Sequence, residues 1–359
     1  MNQMTASATI DQLRLESLLE TVQGASSVLI LTHNDPDPDS IASAVALQYI
    51  LETLTGVSTE IAYGGIVGRA ENRALVEYLA LDMKLASSLD WTEFDLVAVV
   101  DSQPGAGNNA LPAGRRADIV IDHHQPFREQ SSLASHADIR LEIGASSTIL
   151  TGYVLAAGLD ISPRLATALF YGIQTDTMGL SRDANDLDRT SYAALQPLVD
   201  VEALNTIERA QVPREYFRAF SEALENAEVY DSTVVVAHLG DMYRPDMAAE
   251  VADVLVRLQN AQWVLCSGVY SGLLMISIRS TLESPEAGAV AQKIVQGIGE
   301  AGGHGSVAGG QVPLQGQDPN ELLKEIEDRF FTALSCAVDK REKLVPGGYD
   351  SSPANQGRN

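Results

Sequence analysis

Apolar and polar positions follow two alternating periods through the first half of the chain. SSVLILTH (26–33) is a short apolar run ending in polar residues and reads as a buried strand. Residues 39–54, DSIASAVALQYILETL, carry an apolar helical stripe behind Asp39 or Ser40 as N-cap. TEIAY (59–63) and FDLVAVVDS (94–102) read as further strands, and ADIVIDHH (117–124) as another after a Gly- and Pro-containing loop at 104–114. Helices are expected at 146–157 and 162–173. Strands alternating with helices predict an α/β domain with a mainly parallel sheet and helices on both faces.

The pattern turns helical and polar from 188 to 228, interrupted by Pro213, and reads as a connector. A smaller α/β unit follows: a strand at 232–239, a helix at 247–259, strands at 261–270 and 273–280, and a helix at 286–298. A Gly-rich turn and a closing helix near 319–338 complete it, and the Gly-, Pro- and Ser-rich tail at 345–359 reads as disordered. The expected layout is therefore 1–187, a connector at 188–228, 229–344 and a tail, within the 359 residues that suit two domains.

Composition narrows the class. The hydrophobic fraction is 45% and the aromatic fraction 6%, so a globular core must rest on Leu, Val, Ile and Ala. No apolar run approaches the roughly 20 residues of a membrane span, and the N-terminus lacks a basic start followed by an apolar stretch. A cytoplasmic protein without a membrane partner is expected. Cys266 and Cys336 form neither a disulfide framework nor a Cys-rich metal site. Net charge is −24, which repels polyanions and argues against a long duplex nucleic acid as partner. A nucleotide ligand should be short and gripped by a few local cations.

Candidate chemistry concentrates where strands end. His33-Asn34-Asp35-Pro36-Asp37-Pro38-Asp39 places one imidazole and three carboxylates directly after the first strand. The two prolines limit the loop's freedom to turn its acids apart. A helix cap needs one acid, and three with a histidine exceed that need. Asp101 ends a second apolar run, and Asp122-His123-His124 ends a third. Asp176 lies between two threonines at a helix end and supplies one more carboxylate.

HNDPDPDS, VVDS, IDHH and GIQTDT resemble the four successive motifs of the DHH phosphoesterase family, and SIRS (277–280) with AGGHGSVAGG (301–310) resembles its associated C-terminal domain. The subgroup most similar in motif is the oligoribonuclease (nanoRNase) and pAp-phosphatase type. Type II inorganic pyrophosphatases share only the first domain, and RecJ-like exonucleases fit a short acidic chain less well. The resemblance implies two divalent ions, manganese first and magnesium or cobalt as alternatives. His33, Asp37 and Asp101 would hold one ion, and Asp39, Asp101, His123 and Asp176 the other, with Asp101 bridging. His124 would contact the scissile phosphate, and Asp122 would support the shell around His123. Arg279, Ser280, Gly302, Gly303, His304 and Gly309 would bind substrate from the second domain, closing over a cleft between the two. Ala301 and Val307 depart from the family's Gly and Ala. The implied activity is hydrolysis of phosphoester bonds in short oligoribonucleotides, pAp or linear dinucleotides. A cyclic dinucleotide phosphodiesterase or a non-catalytic nucleotide sensor is the alternative, and a homodimer is the oligomer left open.

Overall fold

The computed structural model describes residues 2–282, 286–335 and 340–345, without the side chains of 2–8 and His304. Cys336 and residues 346–359 of the expected disordered tail lie outside the described residues. Two units divide the chain, Met1–Gln211 and Val212–Asn359.

The first unit runs α1 (Asn2–Val22), β1 (Ser27–Leu31), α2 (Pro38–Thr55), β2 (Ser58–Tyr63), α3 (Ala70–Leu79), β3 (Lys84–Leu85), β4 (Leu96–Val100), β5 (Ile119–Asp122) and β6 (His136–Ile139), then α4 (Ser146–Ala156), α5 (Pro163–Asp176), α6 (Asp186–Leu195) and α7 (Val201–Glu208). Its sheet is parallel throughout, in the order β3-β2-β1-β4-β5-β6. Period-two alternation sorts each central strand between two cores. Val28, Ile30, Ala98, Val100, Ile119 and Ile121 pack under the α-helices. Leu29, Leu31, Val97, Val99 and Val120 face the other way, onto Ala86, Leu89, Trp91 and Phe94 around 3₁₀ helices at Ala86–Ser88 and Trp91–Glu93. That second face carries shorter helices than strand–helix alternation suggests.

Strand order reverses between β1 and β4, and ligands of open parallel sheets collect beyond the strand carboxyl ends at such a reversal. His33 and Asp101 follow these two strands. The cap of α2 corrects the expectation of Asp39 or Ser40: Asp37 is the N-cap, accepting from Ser40 N at 3.0 Å while Ser40 Oγ answers its backbone N–H. Asp39 therefore enters the first turn, where the helix dipole favours an anion.

The second unit contains α8 (Arg214–Asn226), β7 (Glu228–Tyr230), β8 (Val234–Asp241), α9 (Met247–Leu255), β9 (Trp263–Tyr270), β10 (Leu273–Ser280), α10 (Ala287–Val295), β11 (Glu300–His304), β12 (Val307–Pro313), α11 (Pro319–Leu334) and β13 (Arg341–Lys343). Its sheet, β11-β12-β10-β9-β8-β7-β13, is antiparallel except for the β8–β9 pair. One face packs on α10 and α11, the other on α8 and α9. The helical segment 188–228 divides between the units, Leu195 and Ile207 joining the first core and Ala223 the core beneath α9. The Gly-rich turn expected at 301–310 is instead a hairpin, β11 pairing with β12 in the register Gly302↔Gly309. Glycine disfavours strands, but here backbone approach decides. A Cβ on Gly288 of α10 would collide with the Gly303 carbonyl, so this helix packs directly on the hairpin backbone.

Candidate metal centre

Six side chains from four motifs converge at the carboxyl rim of the parallel sheet. His33, Asp37 and Asp101 form one cluster, and Asp39, Asp101, His123 and Asp176 form another, each with ligand atoms within 4.8 Å of one another. Ligands about 2.1 Å from one ion lie at most about 4.2 Å apart, so both clusters need only slight contraction. Asp101 belongs to both. Its Oδ2 stands 3.5 Å from His33 Nε2, and its Oδ1 stands 3.5 Å from His123 Nε2. His33 Nε2 is also 3.4 Å from Asp37 Oδ1, and His123 Nε2 is 3.1 Å from Asp176 Oδ2 and 3.9 Å from Asp39 Oδ2.

The local chain explains these positions. Asp101 directly follows β4 in the left-handed region at φ 55°, which Asp tolerates better than most residues. Its N–H donates to Ile121 O at 2.9 Å, fixing the turn against β5. Asp176 is the last residue of α5. Close approach of α5 to the centre requires Gly172, because a Cβ there would lie 3.1 Å from Asp39 Cα. Asp35, the remaining acid of the first loop, is a fastener: its Oδ1 accepts from Ile66 N at 2.8 Å.

Ring orientation favours metal binding. His33 Nδ1 lies 2.7 Å from Asn34 O and His123 Nδ1 lies 3.1 Å from Ile143 O. A carbonyl accepts only, so each Nδ1 carries a proton and each Nε2 faces the centre, where it would offer a lone pair once an ion displaces the second proton. Asp101 Oδ2 is buried with no hydrogen-bond partner, and the nearest polar atom to the buried His123 Nε2 is an oxygen of another candidate ligand, Asp176. An orphaned atom such as Asp101 Oδ2 is costly unless an ion meets it.

Electrostatics point the same way. Burial and the neighbouring Asp101 and Asp176 push the Asp39 carboxyl up, and burial likewise raises Asp176. Burial would lower His33, yet Asp37 and Asp101 raise it to about 10. Burial opposes, but Asp176, Asp101 and Asp39 also raise His123. Asp39, Asp176 and the two imidazoles thus hold protons more tightly than usual, and two divalent cations would balance the four acids without those protons. The donor set of imidazoles and carboxylates without thiolate suits manganese or another first-row divalent ion.

Asp122 corrects the sequence reading. It supports His124, not His123: its Oδ1 is 2.9 Å from His124 Nδ1, and its Oδ2 accepts from Gln103 Nε2 at 2.8 Å. Burial opposes, but the Asp122 carboxylate raises the His124 imidazole, while His124 lowers Asp122 against its own burial. Sequence reasoning also missed Ser146 and Ser147. Ser146 N and Ser147 N donate to Asp39 Oδ2 and Oδ1 at 2.7 and 2.8 Å, and Ser146 Oγ donates to Asp101 Oδ1 at 2.9 Å. The pair of serines opening a predicted helix was the only signal, and it reads equally as a cap.

In the second unit, Arg279 is 7% exposed in β10. Its Nε donates to Asp253 Oδ1 at 2.5 Å, and its Nη1 to Ser277 Oγ at 2.8 Å and Ile278 O at 2.9 Å. Neither a solvent arginine nor a free guanidinium describes it. Ser277 pairs with Gly309 and Gly309 with Gly302, so these residues share a sheet face with Arg279. A Cβ at Gly302 would meet nothing within 4 Å and one at Gly309 only Ile276 O at 3.6 Å, leaving the hairpin backbone open there. Gly303 faces packed atoms, and Ser280 Oγ donates to Gln262 O at 2.9 Å. The His304 side chain is outside the described residues.

Residues 27–173 match the model of the DHH family, N-terminal domain. This segment is a DHH-family N-terminal domain. An uncharacterized Methanocaldococcus jannaschii protein is 34% identical over 321 residues, covering 88% of this chain and 65% of its own length. A probable manganese-dependent inorganic pyrophosphatase of Staphylococcus carnosus is 24% identical over 180 residues, 49% of this chain and 57% of that protein. The chain thus spans less than two thirds of either relative. Among solved structures, an exopolyphosphatase-related protein from Bacteroides fragilis superposes with a TM-score of 0.70 at 17% identity, covering 89% of this chain and 96% of its own. A manganese-bound RecJ exonuclease superposes at 0.52 with 15% identity, covering 92% and 95%. At those identities the likeness shows the fold. No described helix of this chain is long and apolar enough to cross a membrane.

Proposed function

We propose that this chain is a manganese-dependent, two-metal phosphoesterase that hydrolyses phosphoester bonds in short nucleotides. The carrying observation is Asp101, one carboxylate oxygen aimed at each of two ligand clusters, its Oδ2 buried without a hydrogen-bond partner. In this reading His33, Asp37 and Asp101 hold one ion, and Asp39, Asp101, His123 and Asp176 the other. Bound there, a pair of divalent ions supplies the charge that polarises a phosphoryl group and acidifies a water. Asp122 fixes the His124 Nδ1–H and leaves Nε2 to donate to a phosphoryl oxygen when the ring is protonated. Manganese dependence is supported by the name of the staphylococcal pyrophosphatase relative.

The substrate end of the proposal rests on the second unit. Asp253 and Ser277 hold the Arg279 guanidinium in one orientation beside the open Gly302–Gly309 backbone, an arrangement suited to a terminal phosphate or a base. Net charge of −24 favours ligands a few nucleotides long, in keeping with the oligoribonuclease and pAp-phosphatase resemblance. Product release from di- to penta-ribonucleotides, pAp, cyclic di-AMP and pyrophosphate, each with manganese, tests this reading. Turnover of a short oligoribonucleotide or pAp is expected. Manganese and nucleotide binding without turnover of any of them overturns it in favour of a nucleotide sensor.

A further inference from the structure

Asp188 is fully buried and touches none of the six candidate ligand side chains through the hydrogen bonds it makes among the described residues. It lies in the first turn of α6, where its carboxylate completes a capping box by accepting from Asn185 N at 2.8 Å. The same carboxylate reaches across to a distant segment. Oδ2 also accepts from Gly144 N at 2.9 Å, and Oδ1 accepts from Thr148 Oγ1 at 2.6 Å. A cap for α6 alone needs neither bond.

The gripped segment, 143–148, is the one that places half of the metal centre. Ile143 O fixes His123 Nδ1, Ser146 N and Ser147 N hold both oxygens of Asp39, and Ser146 Oγ holds Asp101 Oδ1. The segment is also pressed against the residue after Asp176, since a Cβ on Gly144 would lie 2.7 Å from Thr177 Cγ2. By contrast His33 is fixed by Asn34 O and Asp37 by Ser40 N, without help from this segment.

We infer that Asp188 is a positioning residue for the Asp39–Asp101–His123–Asp176 ion site, reaching the His33–Asp37–Asp101 site only through the shared Asp101. This inference rests on the two-metal reading and deepens it. The carboxylate acts by fixing the entry to α4, so that two backbone N–H groups and one carbonyl meet their ligands without reorganisation. Partners of metal ligands usually change affinity by about 10- to 100-fold when removed.

Manganese titration of the full chain, by calorimetry and by electron paramagnetic resonance, tests it in the wild type, Asp188→Ala and Thr148→Val. Asp188→Ala removes the acceptor of Gly144 N, Asn185 N and Thr148 Oγ1, while Thr148→Val removes a single bond and keeps the carboxylate. Melting in EDTA establishes that each variant is folded, and Thr148→Val decides if Asp188→Ala is not. The wild type should bind two ions. The variants should bind one with little-changed affinity and the other about 10- to 100-fold more weakly for Asp188→Ala, and less so for Thr148→Val. Two ions bound within twofold of wild type, or equal weakening of both, overturns the inference alone, because a merely structural role has no reason to choose one site. A wild type that binds no manganese overturns the two-metal reading and this inference with it.

Discussion

Replacing Asp101 by Asn should separate the chemistry of the centre from its stability. Ser146 Oγ donates to Oδ1 at 2.9 Å, so the substituted oxygen is retained on that side. The new amide then falls at the Oδ2 position, 3.5 Å from His33 Nε2, and donates to that lone pair. The shared oxygen and one imidazole are thereby taken from the first ion. Turnover that needs both ions should fall at least about a thousandfold in kcat/KM, or about 4 kcal/mol. Stability should move in opposite directions with and without metal. In EDTA the substitution removes one of four crowded acids, Asp37, Asp39, Asp101 and Asp176, and the variant should melt at or above the wild type. With manganese at about 100 times Kd, each ion adds about 2.7 kcal/mol, roughly 5 kcal/mol for two. At about 2–4 °C per kcal/mol for domains near this size, that raises the wild-type Tm by roughly 10–20 °C. The variant should gain half of that or less. Steady-state kinetics on a trinucleotide, with melting curves in EDTA and in manganese, give the answer. Turnover within tenfold of wild type, or an equal manganese-dependent rise in Tm, would refute Asp101 as the shared ligand.

Exhaustive EDTA treatment should abolish hydrolysis and added manganese restore it, as measured on pAp or a trinucleotide. Asp122→Asn should lower kcat/KM about 10- to 100-fold by freeing the His124 ring, while manganese stoichiometry stays at the wild-type value in the same titration. Arg279→Ala should lower kcat/KM roughly thirty- to hundredfold, on the order of 2–3 kcal/mol for a charge-assisted phosphate contact, with manganese affinity unchanged. A change under about threefold would reduce this side chain to its pair with Asp253 of α9. Hydrolysis of a dinucleotide should exceed that of a long single strand at matched salt, because the net charge of −24 opposes a long polyanion. Equal rates would point to a processive nuclease.

Legibility in the sequence follows the strength of each local signal. β1, β4 and β5 are apolar runs buried on both faces, and they stood out as such. β6 did not, because His136-Ala137-Asp138-Ile139 buries a histidine and an aspartate that only the folded neighbours satisfy. Asp138 there takes bonds from Arg140 and Tyr153, and His136 meets Tyr153 and Ser17. Polar strand residues of this kind erase the alternation on which a strand is read. The β11–β12 hairpin was missed for a different reason. Its glycines oppose strand formation intrinsically, and what overrides them is α10 resting on the Gly303 backbone, a tertiary fact.

The candidate centre was legible to the same degree and no further. Its six candidate ligands are chemically unusual at the ends of strands or helices, so each announces itself by residue type, and the structure gathers all six. The residues that aim them do not. Ile143 contributes a carbonyl, Ser146 and Ser147 contribute N–H groups, and such groups exist at nearly every position of any chain. Asp188 is a carboxylate in a helical segment rich in acids, 44 residues from the glycine it holds. Its importance lies in where that glycine stands, between the carbonyl that orients His123 and the amides that hold Asp39. Ligand identity is thus a property of residues, and ligand precision a property of contacts across long sequence separation. A substitution at Asp188 tests the second property while leaving the first untouched, which is why the two manganese sites are expected to respond unequally.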